Sequence, residues 1–294
     1  MNPRHPAARL LLLCKLNRGD FLLATAVVQY TAAALTDRGR KRSSNEDAFG
    51  YSIEDGVYLV CDGMGGAAAG EVASSLAIEE VLRLIALRRK EQAHEERAHE
   101  KSSEQASAEA LAADSTHSAN QIIHERSLRN TRLRGMGTTL VGILTSNRET
   151  SDRESSSREA CIFHVGDSRC YRLRAGHIER CTHDHSLVEE EIRRGRMTAA
   201  EAARSPMRNV ITRALGTQSS VEPEITTTPV EPGDLFLLCS DGLSRELSDQ
   251  RIESLLSEGL TASVSLDDLC TTLIQAANKA GGNDNITCIL LQAS

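Results

Sequence analysis

Apolar positions along the chain follow two periods. Three short apolar runs, Tyr58–Cys61, Cys161–Val165 and Leu235–Cys239, each lead into an aspartate beside a glycine: Asp62-Gly63, Gly166-Asp167 and Asp241-Gly242. Runs of four to six apolar residues bounded by turn residues read as buried strands. Thr25–Leu35 predicts a first strand and Thr36–Asp47 a polar turn region. Phe49–Cys61 predicts a hairpin turning at Glu54-Asp55-Gly56. From Glu71 to Leu87 the period changes, with Val72, Leu76, Ile78, Val81, Leu82 and Ile85 forming one helical face. Between Arg88 and Ser118 the stripe is lost in Ala-, Glu- and His-rich sequence. A solvated helical extension and a flexible connector are expected there. A second amphipathic helix resumes near Ala119, with Ile122, Ile123 and Leu128, and stops before Gly135.

Further strands are expected from Gly137 to near Thr145, at Ala160–Val165 and at Cys170–Leu173, with another short one after the Arg174–His177 turn and a final one at Ile286–Leu291. Residues 146–159 read as a flexible polar hairpin tip. Residues 186–209 form a small helical excursion in which Thr198 and Glu201 have capping-box spacing and Ser205-Pro206 is a stop signal. Ser248 caps a helix bearing Ile252, Leu255 and Leu256. Ser265 caps another bearing Leu266, Leu269, Leu273 and Ile274, which Gly281-Gly282 terminates. Strands and helix pairs cluster rather than alternate, which predicts an α+β protein of mixed α/β layers. One domain over residues 25–294 is expected, preceded by a non-catalytic extension over 1–24.

Composition narrows the class. The chain has 294 residues, 40% of them hydrophobic and 26% charged, as in ordinary globular proteins. Aromatics make up 3%, Trp is absent and the net charge is −7. Neither a base-stacking platform nor a basic groove is present, so no nucleic-acid partner is expected. Eight cysteines occur without a C-x-x-C pair, which fits a reducing cytoplasm better than a disulfide framework. No apolar run approaches the ~20 residues of a membrane span.

The chemistry lies in the carboxylates at strand boundaries. Asp62, Asp167 and Asp241 follow predicted strands, whereas Asp284 and the Glu46-Asp47 pair precede them. If strands alternate in direction, leaving one and entering its neighbour occur at the same sheet edge, so all six can meet. Uncompensated carboxylates in one place repel and require cations. Hard oxygen donors without grouped His or Cys select Mg²⁺ or Mn²⁺ over Zn²⁺. Two such ions ~3.5–4 Å apart can activate a bridging water and clamp a phosphoryl group.

Eight motifs in order then resemble the protein phosphatase 2C family of metal-dependent serine/threonine phosphatases in its compact bacterial form. They are Arg42-x-x-Asn45-Glu46-Asp47, Asp62-Gly63-Met64-Gly65-Gly66, Gly137-Thr138-Thr139, Gly166-Asp167-Ser168-Arg169, Asp184-His185-Ser186, Ile211-Thr212-Arg213-Ala214-Leu215-Gly216, Ser240-Asp241-Gly242 and Asp284-Asn285-Ile286-Thr287. The resemblance covers roughly residues 25–292. It implies a central sandwich of two antiparallel β-sheets flanked by antiparallel helix pairs, with 186–209 as a flap beside the site. It implies two Mn²⁺ or Mg²⁺ ions: Asp62 bridging both, Asp241 and Asp284 completing the first, and the Gly63 carbonyl serving the second with Glu46 and Asp47 acting directly or through waters. Asp167 with Asp241 matches a weaker third-metal site. Arg42 would hold the substrate phosphate, and a dimetal-bridging hydroxide would attack phosphorus without a phosphoenzyme. The implied partners are proteins phosphorylated on Ser or Thr and a cognate Ser/Thr kinase, and a cytoplasmic monomer is expected.

Met64 departs from members that carry a His two residues after the bridging aspartate, where it is proposed as the acid for the leaving group. Two other classes compete with an enzyme of this kind. A phosphoprotein-binding module would have no need of the whole acidic set. A two-metal nuclease is disfavoured by the acidic balance. For His183 and His185, a loop-positioning role is preferred to that of a general acid, and for Gly137-Thr138-Thr139 a packing role.

Overall fold

The computed structural model describes residues 29–97, 107–145 and 158–294. Two antiparallel sheets pack face to face. The first contains β1 (Tyr30–Asp37), β11 (Ile286–Ala293), β10 (Leu235–Cys239), β7 (Arg169–Arg174) and β8 (His177–Arg180), in that spatial order. The second contains β2 (Asp47–Ser52), β3 (Val57–Met64), β5 (Leu140–Thr145), β6 (Glu159–Val165) and β9 (Glu224–Pro229), with the two-residue β4 (Gly137–Thr138) also paired to β3. Helices α1 (Ala67–Arg97) and α2 (Ala108–Arg129) cover the second sheet; α6 (Asp249–Thr261) and α7 (Leu266–Ala280) cover the first. The short helices α3 (Leu187–Arg193) and α4 (Ala199–Arg204) lie between β8 and β9, and α5 (Asp241–Ser244) follows β10.

Three cores follow from these layers. Val57, Leu59 and Cys61 of β3 face Ala73, Ala77, Val81 and Ile85 of α1. Tyr58 and Val60 point the other way, against Phe236, Leu238, Ile289 and Leu291 of the opposite sheet. This is why Tyr58–Cys61 reads as a continuous apolar run: both faces of the strand are buried. The third core joins the first sheet to α6 and α7 through Leu237, Leu290, Ile252, Leu256, Leu273 and Ile274. At about 0.8 kcal/mol per buried CH₂, these aliphatic layers supply the main favourable term in folding.

Several elements differ from their expected bounds. Helix α2 begins at Ala108, not near Ala119, so part of the Arg88–Ser118 stretch is packed structure. Its buried residues there are Leu111, Ala112, Ser115 and Thr116. Small residues let α2 lie close to α1, but they leave no apolar stripe to read. Ser107 caps the helix by accepting from the Ala110 N–H. The remainder of that stretch, 98–106, lies outside the described residues, as do residues 1–28 and 146–157. Strand β1 runs on through Thr36 and Asp37 because the ladder to β11 continues to Ile286. Strand β9 was not expected: Glu224–Pro229 holds a single large aliphatic, Ile225, and its threonines suit a half-exposed edge where Pro229 is tolerated. The excursion over 186–209 contains α3 and α4, and the Thr198–Glu201 capping box is formed in both directions.

Candidate active site

Asp62 lies inside β3, not after it. The strand continues through Gly63 and Met64, held by β4, and the chain turns only at Gly65 and Gly66, whose φ values of 123° and 89° suit glycine. Asp47 opens β2 directly opposite Asp62 in the ladder. Asp167 sits in the β6–β7 turn, Asp241 opens α5, and Asp284 precedes β11. The six acidic residues therefore gather at one end of the sandwich and come from both sheets. The expectation of a single sheet edge is corrected to the shared end of two packed sheets.

Two tight approaches admit this crowding. A side chain at Gly63 would strike the carbonyls of Gly70 and Glu46. At Gly70, in the first turn of α1, a Cβ would collide with the Glu46 carboxylate. The absent side chains let the start of α1, the Glu46 loop and β3 meet.

Hydroxyls and amides then fix the carboxylates. Thr139 Oγ1 accepts from the Asp62 N–H at 2.9 Å, the Thr139 N–H donates to the Asp62 carbonyl at 2.9 Å, and Thr138 Oγ1 donates to that same carbonyl at 2.9 Å. Gly137-Thr138-Thr139 thus clamps the backbone of Asp62. Asp47 Oδ2 accepts from Ser240 Oγ at 2.8 Å and Thr287 Oγ1 at 2.7 Å, tying the sheets together at the site. Asn285 accepts from the Glu46 N–H and donates to the carbonyls of Arg38 and Ser44, which shapes the loop carrying Arg42 and Glu46. Arg42 is half exposed and pairs with Asp284 Oδ2 at 2.7 Å; Asp284 Oδ1 accepts from the Asn285 N–H.

The electrostatics are those of crowded like charges. Burial, then the neighbouring Asp47, Asp241, Asp167 and Asp284, hold the Asp62 carboxyl well above the usual carboxylate range. Burial and Asp167 push Asp241 up to about 8, against the opposing pull of Arg245. Burial pushes Asp47 up to about 6 although Thr287 and Ser240 donate to it. Asp167 and Glu46 are also raised, chiefly by burial. Asp47 Oδ1, Asp167 Oδ1 and Asp241 Oδ1 are buried without a hydrogen-bond partner. Buried anionic oxygens left in this condition cost several kcal/mol unless a cation meets them. The residues present therefore fit hard divalent cations.

The neighbouring motifs prove to be supports. Arg169 makes a two-pronged pair with Asp184, at 2.9 and 2.7 Å, joining two motifs separated in sequence. The Gly166 N–H donates to His185 Nδ1 at 3.2 Å, and the His185 N–H donates to the Gly166 carbonyl at 2.9 Å. Nδ1 accepts, so Nε2 carries the proton of the neutral ring and faces Glu224 Oε2 at 3.4 Å. Burial depresses His185 to about 4. His164 stacks on it and donates through Nε2 to the His183 carbonyl. His164, His185 and Glu224 could geometrically hold an ion, but the Gly166 N–H already occupies the nitrogen of His185 that would have to carry the proton if Nε2 bound one. This cluster buttresses the Asp167 turn. Its members are far apart in the chain, and no sequence spacing signalled it. Arg245, which bridges Asp167 and Asp241, was likewise not singled out by any motif.

Comparison with known proteins identifies the family and the fold. A family model described as Protein phosphatase 2C matches residues 36–290. Protein phosphatase PhpP of Streptococcus pneumoniae serotype 2 is 32% identical over 260 residues, covering 87% of this chain and 95% of that protein. Serine/threonine phosphatase stp of Listeria monocytogenes serotype 4b is 35% identical, covering 87% and 93%. The crystal structure of the Mycobacterium tuberculosis serine/threonine phosphatase PstP/Ppp superposes with a TM-score of 0.73 at 32% identity, covering 90% of this chain and 98% of that one. The catalytic domain of PstP in complex with two manganese ions does so with a TM-score of 0.71 at 31% identity, covering 90% and 98%. By fold, by sequence and by the carboxylates gathered at the end of its sandwich, the chain belongs to the protein phosphatase 2C family of metal-dependent serine/threonine phosphatases.

Proposed function

We propose that the carboxylate end of the sandwich hydrolyses phosphoserine and phosphothreonine in proteins, with two Mn²⁺ or Mg²⁺ ions held by Asp62, Asp241, Asp284, Glu46, Asp47 and the Gly63 carbonyl. When bound, the ions supply an activated water and neutralise charge on the phosphoryl group. The observation that carries this reading is the set of buried, unpartnered carboxylate oxygens at Asp47 and Asp241, beside Asp62, three carboxyl groups that burial holds above the usual carboxylate range.

The chain's own residues divide the remaining work. Asp62 stands centrally, its backbone held on both sides by Thr138 and Thr139, so its carboxylate is positioned before ions or substrate arrive. Asp47 keeps one oxygen on Ser240 and Thr287 and presents the other. Arg42 lies at the rim of the site. Its pair with Asp284 is solvent-exposed on the arginine side, and opening such a pair costs about 0–1 kcal/mol, so the guanidinium can turn to a phosphate. Met64 has no proton to give, and the leaving alkoxide takes one from water.

A bacterial Ser/Thr kinase and its phosphorylated targets are the partners this reading implies, as the named bacterial Ser/Thr phosphatases among the relatives support. We further assign catalysis to residues 25–294 as one domain acting as a monomer, with 1–24 outside it and 186–209 flanking the site as a flap. No helix among the described residues is long and apolar enough to cross a membrane.

Hydrolysis of a phosphothreonine peptide with Mn²⁺, with and without chelator, tests the proposal. Turnover abolished by chelation and by Asp241→Asn is expected. Turnover that survives either change refutes it, as does tight phosphopeptide binding without turnover.

A further inference from the structure

The role of Arg245 rests on the two-ion reading of the site. The family resemblance implies a third ion between Asp167 and Asp241, and a side chain of this chain already stands there. Arg245 follows α5, and its backbone N–H donates to the Asp241 carbonyl at 2.8 Å, one turn back. Its Nη2 lies 2.9 Å from Asp167 Oδ2 and 2.5 Å from Asp241 Oδ2, so one nitrogen serves both carboxylates. The two carboxylates are buried, whereas Arg245 keeps 34% of its side chain exposed. Its charge opposes the upward pull on both aspartates and is felt at Asp62.

The Oδ2 atoms of Asp167 and Asp241 converge on Nη2, so a divalent ion shared through them would have to displace the guanidinium, and each carboxylate keeps only Oδ1 unpartnered. A guanidinium is charged at every working pH and cannot dissociate into solvent. It also spreads its charge over a plane and binds through N–H bonds, so it neutralises the pair without offering an open coordination position. We propose that Arg245 is a built-in cation that takes the place of the third ion, neutralises the Asp167–Asp241 pair and limits this centre to two metals. Arg245 is a positioning residue: it holds one oxygen of Asp241 and leaves the other, Oδ1, unpartnered in the site. The charge at this position is then independent of the free metal concentration.

Mn²⁺ stoichiometry on the purified full chain decides the point, read by native mass spectrometry and by electron paramagnetic resonance of free ion during titration. The wild type is expected to take up two ions and no third at millimolar Mn²⁺. Arg245→Ala uncovers the pair and is expected to take a third, weaker ion, which Arg245→Ala combined with Asp167→Asn loses again. Arg245→Lys, which keeps the charge, is expected to stay at two and guards against a misfolded alanine variant. A wild type that binds three, or a folded Arg245→Ala that stops at two, overturns the proposal. Fewer than two ions on the wild type refutes the two-ion reading instead, so the two failures are distinguishable.

Discussion

Stripping the ions from the carboxylate cluster exposes Asp241 as a liability that grows with pH. In the metal-free protein its pKa stands at about 8, against 3.8 for the ordinary group. The folded state thus holds this proton more tightly than the unfolded chain does. Its contribution to stability is complete below the unfolded value and is lost as pH rises through the folded one. The informative window is pH 6.5 to 8. Below it, His185, with a folded pKa of about 4 and an ordinary value of 6.5, contributes in the opposite sense. Above it, buried thiols such as Cys239, pushed up to about 12, begin to matter. One group titrating in the folded state alone changes stability by about 1.36 kcal/mol per pH unit, less close to its pKa, so the share of Asp241 over the window is about 2 kcal/mol. For a domain of this size that lowers the melting temperature by about 5 °C. Thermal unfolding in chelator across the window measures it. The chelated wild type should lose stability with rising pH, and Asp241→Asn should reduce the slope, with Asp62, also held above the usual range, contributing to it in the same sense. Added Mn²⁺ should reverse its sign, because deprotonation frees the ligand. A chelated wild type whose melting temperature is flat or rises from pH 6.5 to 8 refutes the reasoning, and so does a slope that Asp241→Asn leaves intact.

Three further outcomes are expected. Gly70→Ala should destabilise the fold, because its Cβ meets the backbone of Gly63 as well as the end of Glu46, and should weaken Mn²⁺ binding by displacing that carboxylate; thermal unfolding and calorimetric titration read the two effects. Thr139→Val should cost about 1–2 kcal/mol in denaturant unfolding for the lost bonds to the Asp62 N–H and Ser168, and turnover should fall by more than that loss of stability accounts for, because Asp62 loses its clamp. His185→Gln should flatten acid unfolding between pH 6.5 and 4: the wild-type ring must stay neutral in the fold and so loses about 3 kcal/mol over that range, and urea titrations at several pH values show whether it does.

The acidic set stood out in the sequence because its members lie beside turn signals near strand ends, a local property of the chain, although Asp62 proves to lie inside β3. The motif order added the family and hence the layered sandwich. Other parts were not legible, for reasons that can be named. Helix α2 hides its start because Ala112, Ser115 and Thr116 are buried by virtue of being small, not apolar. Strand β9 is an edge and shows one aliphatic face position. Asp62 looked like a strand terminus because Gly63 follows it, yet β4 extends the ladder through Met64.

What the sequence determined by itself, then, is the run of half-buried and fully buried strands, the helix caps and the placing of six carboxyl groups near turns, since period, turn chemistry and charge act over a few residues. Only the tertiary structure decided which partner each carboxylate oxygen keeps. The Asp47 carboxylate is tied to Ser240 and Thr287 across 193 and 240 residues and that of Asp167 to Arg245 across 78, while the backbone N–H of Asp62 is tied to Thr139 across 77. Those assignments follow from how two sheets stack and where their ends meet. No local rule contains that information, and it separates a cluster that merely repels from one that can hold ions.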